Sequence, residues 1–172
     1  MKPRFALILF LGLFSVGVQA QVNMTPRIVT RSASTSVSAE IIDNFTLTTM
    51  RDVNLNTPAI VDGVITVNPT NSPYAGMMRI NGRPGKQIRI TYLAYETLLD
   101  ENGTGGVVKA NYRISGFESD NQNASILLDI GEANVRLGPD GTYHIWLGAV
   151  LDIREAKPGA YISEFIMEIE GN

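Results

Sequence analysis

Few residues in this chain can do chemistry. The one histidine, His144, stands two positions from the one tryptophan, Trp146, and there is no cysteine. Thiolate metal sites, disulfides, cysteine nucleophiles and lipid attachment at an N-terminal cysteine are therefore excluded. Acyl transfer by a Ser-His-Asp group needs a histidine beside a hydroxyl and a carboxylate, but no G-x-S-x-G turn occurs and apolar residues flank His144. Asp129, Glu132, Asp140 and Asp152 supply carboxylates, yet no spacing among them selects a pair of the kind that cleaves glycosidic bonds. The oxygen-rich turns Asp100-Glu101-Asn102-Gly103 and Asp120-Asn121-Gln122-Asn123 lack the spaced acidic loop with a closing glutamate that holds calcium. The expectation is a protein that is not an enzyme, with no catalytic residue, no cofactor and no metal.

What remains is binding. Along residues 142–153 the odd positions are Tyr143, Ile145, Leu147, Ala149, Leu151 and Ile153, a ladder that must face a core. Thr142, His144, Trp146 and Val150 then share the opposite face. A tryptophan there offers a flat apolar body with one donor, a platform for a sugar ring or a partner's apolar side chain. The competing reading has a loop or neighbouring strand covering Trp146, since tryptophan is highly buried on average.

The elements that position these residues are strands. NPTNSP (68–73), NGRPG (81–85), DENGTGG (100–106), ESDNQN (118–123), GPDG (138–141) and AKPG (156–159) punctuate the chain as turns. Between them apolar residues alternate with period two, as in Ile88, Ile90 and Tyr92 or Val108, Ala110, Tyr112 and Ile114. About nine short strands predict an all-β fold, an antiparallel immunoglobulin-like β-sandwich. The expected core is Phe45, Leu47, Ile65, Val67, Ile88, Ile90, Tyr112, Ile114, Ile126, Leu128, Ile145, Leu147, Leu151, Phe165, Met167 and Ile169. Residues 92–99 dissent: Leu, Ala and Glu favour helix, so a short helix or an irregular crossover is expected there.

Residues 1–20 read as a secretory signal peptide: MKPR, an apolar run, then small residues before a cut after Ala20. Losing Lys2 and Arg4 with it takes the formal charge from −3 to −5. Arg79, Arg83, Lys86 and Arg89 alternate with apolar residues as a wet strand face does, so nucleic acid is not an expected partner. No later apolar stretch reaches bilayer length, so no membrane span is expected in the mature chain. The expected organisation is a signal peptide (1–20), an N-terminal arm or flexible segment (21–35) and one β-sandwich domain (36–172), exported to a periplasm, a cell surface or the medium.

Three stretches together resemble a bacterial exported family known as domain of unknown function 4402, similar in strand pattern to fimbrial and spore-coat-type subunits. They are SVSAEIIDNFTLTTMRDVNLNT (36–57), GVITVNP with MMRINGRPGKQIRITY (63–69 and 77–92), and LGPDGTYHIWLGAVLDIREAKPGAYISEFIMEI (137–169). Two positions depart from that pattern: no glycine stands near Asn56, and Gly171 occupies the place of a near-terminal aromatic residue. The resemblance implies a structural or surface-assembly role without chemistry.

Subunits of that sort are completed by β-strand addition, an arm of one copy filling a sheet of the next. Here Val22, Met24 and Ile28 share a parity in the arm, Pro26 sits among them, and RSASTSVS (31–38) can serve as a hinge. Burying three or four aliphatic side chains is worth roughly 5–12 kcal/mol before ordering costs, comparable with the ~5–15 kcal/mol stability of a whole domain. The alternative is a frayed terminus or an ordinary edge strand. The expected partner-binding residues are thus Val22, Met24 and Ile28 for assembly, and His144 and Trp146 for a glycan or protein partner.

Overall fold

The computed structural model describes residues 33–41, 45–101, 103 and 105–171. The expected signal peptide (1–20) and the expected assembly residues Val22, Met24 and Ile28 lie outside the described residues. Twelve strands follow in order: β1 (Ala33–Ile41), β2 (Thr46–Arg51), β3 (Ile60–Val61), β4 (Val64–Val67), β5 (Gly76–Asn81), β6 (Gln87–Tyr92), β7 (Tyr95–Leu99), β8 (Val107–Phe117), β9 (Ile126–Leu127), β10 (Glu132–Arg136), β11 (Thr142–Asp152) and β12 (Tyr161–Gly171). One 3-10 turn, Gln122–Ala124, is the helical element among the described residues. The chain is all-β, and the excess over the expected nine strands comes partly from the two-residue pieces β3 and β9.

The strands form two sheets. The smaller runs β1-β12-β6-β10. In the larger, β11 is central: β8 pairs along one side of it, and β5 and β4 share the other. Beyond β5 and β4 lie β2 and β3, and beyond β8 lie β7 and β9. Every ladder is antiparallel except one. β1 runs parallel to β12, from Ala33↔Tyr161 to Ile41↔Ile169, so the stretch expected to be a hinge is largely strand and the expected arm boundary at residue 35 falls inside β1.

Alternation explains the packing. On β12, Tyr161, Ser163, Phe165, Met167 and Ile169 are buried while Ile162, Glu164, Ile166 and Glu168 are exposed. The sheets meet where the Phe165 ring stands edge-on to Tyr112 of the other sheet, centroids 5.4 Å apart, with Tyr92 at 5.7 Å. Tyr112 Oη donates to Ser163 Oγ across the interface at 2.5 Å, and Ser163 donates onward to Glu96, so a hydroxyl inside the core is satisfied from both sides.

Two expectations need correction. Of the two forms expected for residues 92–99 the helix is absent and a crossover is present: the chain leaves the small sheet at Tyr92 and enters the large one at Tyr95, already bonded to β8 through Tyr112 N to Ala94 O (2.8 Å). Tyr92, Ala94 and Leu98 do alternate inward; the exposed apolar residues Leu93, Tyr95 and Leu99 on the other parity hid the pattern. Ile126 is not core but 66% exposed, because β9 ends after one further residue and the parity shared with Leu128 does not carry through the strand end. Leu47 is partly buried against the core, and the other expected core residues are buried.

Candidate functional site

The outer face of the large sheet carries the even residues of β11. Register places His144 between Arg79 of β5 and Phe117 of β8, and Trp146 between Met77 and Ser115. Both expected binding residues are therefore on the face the alternation predicts, and their rings stack with centroids 6.2 Å apart. They are not an open platform. Trp146 is 1% exposed and His144 8%, which corrects the reading of an accessible Trp146 surface and agrees with the covered one.

The 118–125 loop is fastened to Ser115, the cross-strand neighbour of Trp146. The Gln122 side-chain amide donates to the carbonyls of Pro69 and Ser72, both at 2.9 Å, tying that loop to the 68–73 turn. Ser125 Oγ donates to Gln122 O (2.6 Å) and lies 2.9 Å from the hydroxyl of Ser115. Asn121 Oδ1 accepts from Ala124 N and holds the 3-10 turn. On the same face His144 Nδ1 and Arg79 Nε are buried without a hydrogen-bond partner among the described residues.

One glutamine side chain thus joins the two segments beside the cross-strand neighbour of Trp146. Gln122→Ala is expected to lower stability by about 1–3 kcal/mol, through two lost bonds and two stranded carbonyls. Because the chain has a single tryptophan, its emission should shift to the red in the same variant. Unchanged emission would mean that another contact holds the loop.

Further along β11 the face is open. A groove of about 280 Å³ is bounded by Thr66, Asn68 and Pro69 on one side and by Asn111, Arg113 and Leu127 on the other, with Val150 between. Gly148 lies opposite Arg113, and its lack of a side chain lets Pro69 and the Val67 carbonyl pack directly over it. Tyr95, opposite Asn111, is 58% exposed at the margin. Sequence reasoning passed over this site although Lys109, Asn111 and Arg113 were legible as a wet face, because nothing local distinguishes a groove from ordinary solvated strand.

A second groove of about 390 Å³ separates β9 from β10 and is lined by Ile126, Leu128, Ala133, Val135, Arg136 and Tyr143 among others. Burial pushes the Tyr143 phenol up to about 12, with the nearby Glu118 charge adding to the effect, so it stays neutral through the physiological range. Of the carboxylates considered for catalysis, Asp140 accepts from Thr142 N (2.9 Å) and its hydroxyl (2.8 Å), which hold it below the usual carboxylate range. Asp152 is bound by Arg154 through Nε (2.9 Å) and Nη2 (2.5 Å), and is lowered likewise. Each is engaged by its near neighbour in sequence, the arrangement of turn and surface groups. Among the described residues no three histidine, aspartate or glutamate side chains gather as metal ligands would.

No family model and no curated protein matches the chain.

Proposed function

We propose that this chain is an exported, non-catalytic structural domain that acts in cell-surface or periplasmic assembly by β-strand addition. The observation that carries the reading is the attachment of β1. This strand forms the margin of the small sheet, and its one ladder is the parallel pairing with β12. The next strand, β2, belongs to the other sheet. A marginal strand held in this way can be supplied by its own chain or by a second copy with the same hydrogen bonds, the condition under which strand exchange is inexpensive. Without β1, the outer edge of β12 would present a long row of unpaired backbone groups, a template that demands a partner. The apolar leader at residues 1–20 supports export.

The register supplies the test. Ser36 pairs with Glu164, and the chain has no native cysteine to interfere. The double variant Ser36→Cys, Glu164→Cys, oxidised at high protein concentration, is expected to give covalent dimers and a ladder of higher species on a non-reducing gel. Closure within single chains alone, at every concentration, would overturn the proposal.

A further inference from the structure

We infer that the open half of the large sheet's outer face is a binding site for an acidic sugar, a uronate-type unit of a polysaccharide. The site is separate from the β12 edge and does not depend on how copies assemble.

The residues fall into register across four strands. Tyr95 of β7 lies opposite Asn111 of β8, Asn111 opposite Val150 of β11, and Val150 opposite Thr66 of β4. In the adjacent row Arg113 lies opposite Gly148, over which Pro69 and the Val67 carbonyl close to form the facing wall of the groove. The resulting groove, about 280 Å³, falls just below the roughly 300–1,000 Å³ that ligand sites occupy, and suits one sugar ring with its neighbours running out into solvent.

Charge selects the ligand. Arg113 is the one charged residue lining the groove, and it has no salt-bridge or hydrogen-bond partner among the described residues. The charges nearest it on β8 and β11 are paired, Asp152 with Arg154 and Lys109 with Glu155. An acidic protein that leaves this guanidinium unpaired in a depression offers a carboxylate a planar, two-pronged contact. The polar rim suits hydroxyls. Asn68 Oδ1 already accepts from Thr70 N (3.0 Å) and Thr70 Oγ1 (2.9 Å), which leaves the Asn68 amide N–H groups to donate. Asn111 lines the wall, with its Oδ1 turned inward and buried. Tyr95, exposed at the end of the row, provides an aromatic face for the C–H side of a sugar ring.

The test is titration of the isotopically labelled full chain, followed by amide shifts, with D-glucuronate, D-glucose and acetate as probes. Saturable shifts at Thr66, Asn68, Asn111, Arg113 and Val150 are expected with glucuronate, with glucose and acetate each binding more weakly. Arg113→Gln should weaken glucuronate about ten- to hundredfold, the value of a charge-assisted contact, and Arg113→Lys should recover part of the loss. Tyr95→Ala, at an exposed position that does not challenge the fold, should weaken glucuronate but leave acetate unchanged. Arg136→Gln, in the other groove, should bind as wild type does. Acetate equal to glucuronate, an Arg113→Gln titration identical to wild type, or no saturable shift at about 10 mM ligand, the weak limit of useful recognition, would each overturn the assignment.

Discussion

Phe165→Asp is expected to abolish folding, while Glu164→Lys one position earlier leaves the thermal transition nearly where it was. Phe165 is 1% exposed and packs against Tyr92 and Tyr112, the second of which belongs to the opposite sheet. Removing a buried phenylalanine side chain costs about 3–5 kcal/mol through lost burial and the cavity left behind. An aspartate adds a carboxylate with no cation on its face of β12, where its neighbours are Ser163 and Met167, and burying it costs several kcal/mol more, whether it stays charged or takes up a proton. Together these match or exceed the ~5–15 kcal/mol that hold a domain of this size. Glu164 is exposed, and a substitution there normally moves stability by less than about 0.5 kcal/mol. Circular dichroism on heating separates the outcomes, and a cooperative transition for Phe165→Asp near that of wild type would reverse the face assignment of β12.

The same alternation shows where the sequence is a good guide. β12, β6 and β8 as far as Ile114 could be assigned to the core residue by residue, because each buries one face there and the period of a strand leaves no freedom in which residues follow. The failures occur where a strand has two covered faces or stops short. Trp146 lies on the parity that points away from the core, as expected, and is nonetheless buried, and the loop fastened to its cross-strand neighbour is held by Gln122 meeting two carbonyls some fifty residues away. No period records such a contact. Ile126 shares its parity with Leu128, but the strand ends between them. Around Tyr92 the signal was present and masked, because Leu93, Tyr95 and Leu99 are apolar and exposed on the wet side. β1 was legible neither as a strand nor in its direction: a run of Ser and Thr has no apolar period, and its partner lies at the far end of the chain. Of the groove, the polar wall formed by Asn111 and Arg113 could be read, but not the facing wall, where Val67 and Pro69 close over Gly148.

Gly148→Ala is accordingly expected to cost more than an added methyl group usually does. This glycine has no left-handed φ to preserve, so the constraint is contact alone. A Cβ built there would stand 2.3 Å from the Val67 carbonyl oxygen, 2.6 Å from Pro69 Cδ and 2.7 Å from Pro69 N. These are backbone and ring atoms that cannot rotate aside, so β4 and the turn after it must move away from β11. Overpacking of this kind costs about 1–3 kcal/mol or more, and the displacement begins beside Ala149↔Val67, the first rung of the β11–β4 ladder. Gly85→Ala is the control: φ is +67 there and nothing lies within 4 Å, so it should lose only the ~1–2 kcal/mol of placing a side chain in left-handed backbone. Urea midpoints rank the two. Moving Val67 and Pro69 also removes one wall of the groove, so Gly148→Ala should weaken glucuronate while Gly85→Ala does not. Equal stability of Gly148→Ala and wild type would mean that residues 67–69 stand off from β11, and the depression beside Arg113 would then lack the wall that makes it a site.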